Sequence, residues 1–296
     1  MTRFSLGLPA LFAMLSCAAA PSSQVVSETS GTGGAGSAPV VMQQVGAHTP
    51  RLTRKEQVKR ILPHNVRLAL VEEGKAKRTA SGVVIGNEKT AEGLVSYVLT
   101  NAHAVEMDDL KDPSLVVIVD DRADSTEYGA QVVATGSVPD MDLALLKVPG
   151  LSLAPAQLAA DSELELGDDV VVAASPFGRA LSLSGGMLSQ VEWDKESKKP
   201  RMVKTDAPIG YGASGGGIFS LETGKLLAIV EGYRTAKVGF AVAEQNYSFD
   251  VPMPGETFAA PSGKVRQFLQ QKGFARLLGG TAGTGPATDG SQTASR

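Results

Sequence analysis

Between Val66 and Val230 the chain is divided into short apolar or alternating runs separated by turn signals. The runs are Val66–Val71, Gly82–Ile85, Val95–Thr100, Leu115–Val119 and Leu143–Val148, then Val170–Ala174, Gly186–Val191, Gly217–Leu221 and Leu226–Val230. Many short strands with such punctuation predict an all-β sandwich or barrel. One helix is expected near the end, in SGKVRQFLQQKGF, where Val265, Phe268 and Leu269 recur at i, i+3, i+4. Ser262 is its expected cap and Gly273 its expected stop.

The stretch GYGASGGG, Gly210 to Gly217, places five glycines around one serine. Each glycine costs roughly 0.5–1 kcal/mol relative to alanine, so the cluster needs a physical reason. Gly210, Gly212 and Gly215 fit a dinucleotide fingerprint, but GIFSLETGKLLAIVEG follows, which reads as a hairpin turning at Thr223–Gly224. No helix N-terminus is then available for a pyrophosphate. Gly212-Ala213-Ser214-Gly215-Gly216 also fits the nucleophile elbow, whose histidine comes after the serine. The three histidines His48, His64 and His103 all precede Ser214, so that reading fails. What remains is a nucleophilic serine in a tight turn, with base and acid arriving from earlier in the chain. Glycines there let backbone N–H groups converge on an oxyanion.

His103 follows the apolar run Val95–Thr100 and is the histidine best placed to be held rigidly. His64 follows Pro63 at a strand start, and His48 lies in a polar leader. Asp142 opens DLALLKV, a run of buried-strand character. A carboxylate drawn under the surface there needs hydrogen bonds, and a histidine N–H is a natural donor. Asp140 reads as a solvated turn residue.

TNAHAV around His103, DLALLKV from Asp142 and TDAPIGYGASGGG through Ser214 together resemble the three catalytic blocks of trypsin-like serine peptidases of the HtrA type. ASPFGRALSLSGGMLSQ (Ala174 to Gln190) is similar to the segment that this family places between acid and nucleophile. The resemblance runs from about Ser81 to Gln271. It implies two perpendicular six-stranded antiparallel β-barrels with the active site between them, followed by a C-terminal helix. It implies His103 as base, Asp142 as its orienting acid and Ser214 as nucleophile, with the N–H groups of Gly212 and Ser214 as oxyanion hole. Ile229, Val230 and Glu231 are implied as the substrate pocket, suited to a small or medium aliphatic side chain. Protein or peptide substrates and a homotrimer are further implications.

The chain departs from the family pattern in three places. Ala213 precedes the serine where Asn or Asp is usual, NYSFDVPMPGETFAAPSG is a longer approach to the helix, and the glycine- and threonine-rich tail is too short for a PDZ domain. A trypsin-fold binding or scaffold protein without turnover is the competing function.

At the start, MTRFSLGLPALFAMLSCAAAP has one cation, an apolar stretch and small residues, the form of an export signal. Met14-Leu15-Ser16-Cys17 resembles a bacterial lipobox, which would make Cys17 a lipidated N-terminus; the competing cleavage lies within Ala18-Ala19-Ala20. The organisation expected is a leader over 1–20, a flexible tether over 21–50, a protease domain over 51–275 and a disordered tail over 276–296. The basic run RLTRKEQVKR is expected to be a short helix or docking segment. Location in a bacterial cell envelope or periplasm follows, with membrane attachment through Cys17. A net charge of −3 gives no electrostatic footprint for nucleic acid. One leader cysteine and no spaced histidine pair give no metal site, and no cofactor is expected.

Overall fold

The computed structural model describes residues 52–91, 93–242 and 245–278. The leader, the tether, Cys17, His48 and the chain beyond residue 278 lie outside the described residues.

Helix α1 (Arg54–Ile61) occupies the basic run. Thr53 Oγ accepts the Glu56 N–H at 3.3 Å, and the Glu56 carboxylate accepts the Thr53 N–H at 2.8 Å. This reciprocal cap satisfies two donors that a helix start otherwise leaves open. The cations face solvent and Ile61 is fully buried, which makes the segment an amphipathic anchor.

The first half is a seven-stranded antiparallel sheet. Its strands are β1 (Asn65–Glu72), β2 (Lys75–Thr90), β3 (Gly93–Thr100), β4 (Ser114–Asp121), β5 (Asp124–Gly129), β6 (Gln131–Thr135) and β7 (Ala144–Pro149). They lie in the order β5-β4-β1-β2-β3-β7-β6. Where a six-stranded barrel is expected, the pairing shown is a sheet of seven strands. The extra strand arises because the stretch 124–135 breaks at Ala130, whose N–H turns to the Leu115 carbonyl at 2.9 Å. β5 then pairs with β4, and β6 pairs with β7 at the opposite edge.

The second half matches the expected closed barrel of six strands. It contains β8 (Asp169–Ala174), β9 (Ser182–Trp193), β10 (Pro200–Thr205), β11 (Gly217–Ser220), β12 (Leu226–Val242) and β13 (Gln245–Pro261). The order is β10-β13-β12-β11-β8-β9. β12 continues well past Val230, where the apolar run of the sequence ends.

One apolar core packs on the sheet, with Leu68, Val98, Val117 and Leu146. A second fills the barrel, with Val172, Leu188, Ile218 and Val230. A third lies between the halves, where Leu99 and Leu145 meet Phe219 and Ile229. Helix α2 (Ser262–Gln271) seals this seam with Val265, Phe268 and Leu269, all fully buried. Burying each of the larger side chains contributes about 1.5–3 kcal/mol. Ser262 does not cap the helix. Its hydroxyl donates to the Ala159 carbonyl at 2.7 Å, and Pro261 occupies the cap position without a side-chain bond. Gly273, at φ +80°, follows the helix as expected. The folded chain extends past the expected boundary at residue 275, because Ala275–Leu278 forms a 3-10 turn that buries Leu277.

Candidate active site

His103 begins a 3-10 turn directly after β3, and Asp142 directly precedes the buried start of β7. β3 and β7 are paired, with Thr100 opposite Ala144, so the sheet register brings the two residues together. The His103 ring Nδ1 lies 2.5 Å from Asp142 Oδ2, and the His103 backbone N–H donates to Asp142 Oδ1 at 3.0 Å. Asn101 Nδ2 holds the Asp142 carbonyl at 2.8 Å. Both oxygens of the carboxylate thus engage His103, and the Ala102 backbone N–H adds a further hydrogen bond.

The electrostatics follow from this grip. The hydrogen bond that His103 donates to the Asp142 carboxylate holds the His103 pKa above the ordinary imidazole value, against a smaller opposing effect of burial. Burial alone would raise the Asp142 pKa, but hydrogen bonds from the His103 ring and backbone outweigh it and keep the carboxyl below the ordinary range. The His103 side chain itself remains 40% exposed.

The serine turn explains its glycines. Gly212 and Gly215 adopt φ of +87° and +83°, the left-handed region that side chains disfavour. A Cβ on Gly215 would lie 2.1 Å from the Ser81 carbonyl oxygen and 2.3 Å from Thr100 Oγ1. That close approach is how the turn docks on the sheet: the Ser81 N–H donates to the Ser214 carbonyl at 2.8 Å. Ser81 Oγ, fully enclosed, donates to the Gly212 carbonyl and accepts the Ser175 N–H, each at 2.8 Å. Thr100, three residues before His103, donates its hydroxyl to the Ser81 carbonyl at 2.8 Å. The segment before His103 and the serine turn are therefore tied to the same point of β2.

The Phe177 N–H donates to the Tyr211 carbonyl at 2.6 Å. Because a trans peptide points its carbonyl and N–H in opposite directions, the Gly212 N–H faces away from Phe177. Phe177 reaches this contact at φ +57°, an unusual conformation for a bulky residue. Its ring meets Tyr211 edge-on at 6.5 Å, and Tyr211 meets Tyr233 at 5.9 Å, forming an aromatic rim around the turn.

The Ser214 hydroxyl is hydrogen-bonded to the Glu231 carbonyl at 3.4 Å rather than to the imidazole. Two of the three expected catalytic groups are thus in direct hydrogen-bond contact, and the third is docked on the same strand.

The expected pocket requires correction. Ile229 and Val230 are fully buried, one in the seam between the halves and the other inside the barrel. Successive residues of a strand face opposite sides, and both sides of β12 are packed at this point. Only Glu231 borders open space, a cavity of about 760 Å³ that Met141, Phe258 and Lys264 also line. Its side chain is 12% exposed and lies 3.5 Å from Lys264 Nζ of α2. Burial pushes the Glu231 carboxyl above its ordinary pKa, the neighbouring Lys264 opposes that shift, and Asp142 adds to it.

The other histidine within the described residues is structural. His64 Nδ1 lies 2.7 Å from the Ala154 carbonyl, and its ring stacks on Phe219. Ser81, Lys264 and the aromatic rim were not identified from the sequence. Tyr211 and Phe177 lie inside GYGASGGG and ASPFG, so the motifs held a signal for them; Ser81 and Lys264 carried none.

Comparison with known proteins agrees with this geometry. Residues 80–229 match the trypsin-like peptidase domain. A probable periplasmic serine endoprotease, DegP-like, from Ectopseudomonas mendocina is 32% identical over 201 residues, covering 67% of this chain and 38% of that protein. The magnetosome formation protease MamE of Paramagnetospirillum magneticum is 29% identical over 196 residues, 64% of this chain and 23% of its own length. The chain thus spans well under half the length of these relatives. Among solved structures, the serine endoprotease from Yersinia pestis superposes with a TM-score of 0.54 at 20% identity, covering 76% of this chain and 67% of that one. A variant of the HtrA-type protease AlgW with a tripeptide gives the same score at 23% identity, covering 74% and 63%.

Proposed function

Because the chain belongs to the trypsin-like peptidase family, we propose that it is an exported serine endopeptidase working through a covalent acyl-Ser214 intermediate. The Ser214 hydroxyl leaves the Glu231 carbonyl and turns to His103 Nε2, which takes its proton as Oγ attacks the scissile carbonyl. Asp142 holds the tautomer with the proton on Nδ1 and stabilises the imidazolium. The oxyanion of the tetrahedral intermediate is met by the N–H groups of Gly212 and Ser214, each such donor contributing about 2.7–4 kcal/mol to the transition state. His103 then gives its proton to the leaving amine. In the second half, water attacks the ester carbon with His103 again as base, releasing the acid and restoring the serine.

The observation that carries this reading is the two-point grip of Asp142 on His103, which fixes both ring orientation and tautomer. The Tyr211–Phe177 hydrogen bond supports an oxyanion hole formed at rest. A fluorophosphonate probe tests the reading, because only an activated serine reacts. Labelling of the wild type that disappears in Ser214→Ala is the expected result; an unlabelled wild type overturns it.

A second reading, a trypsin-fold binding protein without turnover, is favoured by the resting bond between Ser214 and Glu231. It predicts no labelling and no cleavage of unfolded protein. The leader and the periplasmic designation of the DegP-like relatives support a location in the bacterial envelope. Attachment through a lipidated Cys17 is read by incorporation of radiolabelled palmitate that is lost in Cys17→Ser. Assembly as a trimer is read by sedimentation velocity.

A further inference from the structure

Beyond Tyr233, β12 and β13 leave the barrel as a two-stranded ribbon. Val238 is paired with Phe249 and Phe240 with Tyr247, while Lys237 is paired with Asp250 and Gly239 with Ser248. Directly opposed residues of an antiparallel pair share a face, and the faces alternate along the strand. One face of the ribbon is therefore apolar and the other polar. The aromatic side chains on the apolar face contact one another, Phe240 stacking on Tyr247 at 5.6 Å and meeting Phe249 at 6.1 Å. Yet Val238, Phe240, Tyr247 and Phe249 remain 42%, 48%, 48% and 52% exposed. Antiparallel sheets ordinarily keep such a face covered, and a hairpin alone is only marginally stable in water.

The ribbon is continuous with the candidate active site. β12 passes Ser214 at Glu231, whose carbonyl holds the serine hydroxyl. Up to Val230 its second edge is occupied by β11 and the serine turn. From Glu231 onward, β13 is its only strand partner among the described residues. An unpaired edge thus starts at the nucleophile and runs out beside the apolar face. The charges nearby cancel: Lys237 stands opposite Asp250, and Arg234 lies 3.5 Å from the Glu256 carboxylate. Among the described residues of the ribbon, no unpaired cluster of cations is present to favour an anionic lipid surface.

We propose that this ribbon is an exosite for an extended, apolar segment of an unfolded polypeptide substrate. The segment adds as a strand along the free edge of β12 and lays alternate side chains beside Val238 and Phe240, a form of β-augmentation. The nine-residue step from Glu231 to Phe240 spans about 30 Å. Only a substrate unfolded over that length on one side of the scissile bond reaches both cleft and exosite. The inference rests on the peptidase reading, and its test separates the two.

The double variant Phe240→Ser with Phe249→Ser is compared with wild type in three measurements: fluorophosphonate labelling, cleavage of a four-residue fluorogenic peptide, and cleavage of reduced carboxymethylated lactalbumin. The expected result is unchanged labelling and peptide turnover, with KM for lactalbumin raised about tenfold or more. Phe240→Leu with Phe249→Leu is expected to restore KM. Intact labelling with an unchanged lactalbumin KM overturns the exosite and leaves the peptidase reading standing. If wild type does not label, the peptidase reading fails on its own; anisotropy of labelled lactalbumin with Ser214→Ala then reads the ribbon alone. Binding there that depends on Phe240 and Phe249 supports the exosite, and binding indifferent to them overturns it. Phe240-dependent dimerisation in sedimentation, or flotation with phosphatidylglycerol vesicles, also overturns it by assigning the face another occupant.

Discussion

The main-chain carbonyl of Glu231 accepts the Ser214 hydroxyl at 3.4 Å, while the carboxyl of the same residue faces Lys264 at 3.5 Å. Glu231 thus touches Ser214 through its backbone and the Asp142–His103 pair through its charge. The charge adds to the rise in the His103 pKa, which the Asp142 hydrogen bond dominates. Catalysis needs the neutral imidazole, so activity falls as pH drops through that raised value. Glu231→Gln removes one nearby negative charge and keeps the backbone contact. The acidic limb of kcat/KM is expected to move to lower pH, with maximal kcat little changed. A limb that stays in place assigns Glu231 no electrostatic role.

Asp142→Asn keeps the shape of the carboxylate but stabilises the wrong histidine tautomer. Turnover is expected to fall about 10⁴-fold. The same pair contributes to stability in a defined pH window. The lowered Asp142 pKa adds stability above the unfolded carboxylate value, and this is lost as pH falls through the folded one. The raised His103 pKa adds stability below the unfolded imidazole value, and this is lost as pH rises through the folded one. Thermal melts across pH should show both losses in wild type; in the variant the carboxylate loss is absent and the imidazole loss is reduced.

Gly215→Ala and Gly212→Ala should differ in kind. At both sites the left-handed backbone costs an alanine about 1–2 kcal/mol. At Gly215 the methyl also collides with the Ser81 carbonyl and Thr100 Oγ1, whereas at Gly212 the nearest atoms are 3.2 Å away. Gly215→Ala is expected to lower Tm markedly and undock the turn. Gly212→Ala should fold and lose activity chiefly through a displaced oxyanion donor. Denaturation curves alongside kcat separate the two effects.

Ser81→Ala removes one buried hydroxyl that serves two backbone groups, the Gly212 carbonyl and the Ser175 N–H. Leaving them unsatisfied is expected to cost about 1–3 kcal/mol. Fluorophosphonate labelling should slow as well, because Gly212 is the proposed oxyanion donor. Unchanged labelling kinetics would mean that the turn holds its shape without this bond.

The chemistry of the site was written in short motifs, which is why His103, Asp142 and the glycine turn were visible in one chain. The strands read from apolar runs are all present, since each packs a hydrophobic face. β5, β6 and β10 were not visible: β5 is polar and solvent-facing, and β10 begins at Pro200 between charged residues. β13 was read as a long connection because it carries three prolines and a glycine. Ile229 and Val230 were assigned to a pocket by position along the chain. Their burial depends on which bodies lie on either face of β12, and no local pattern encodes that. Ser81 and Lys264 acquire their roles only through contacts 131 and 33 residues away in sequence.

Ser81 sits on β2, early in the chain, yet the loop that bears the nucleophile takes its shape by resting on it. A ribosome releases β2 long before residue 214, so a partly made molecule has the seat without the occupant. The proposed active site is therefore complete only once the barrel strands have docked on the earlier sheet.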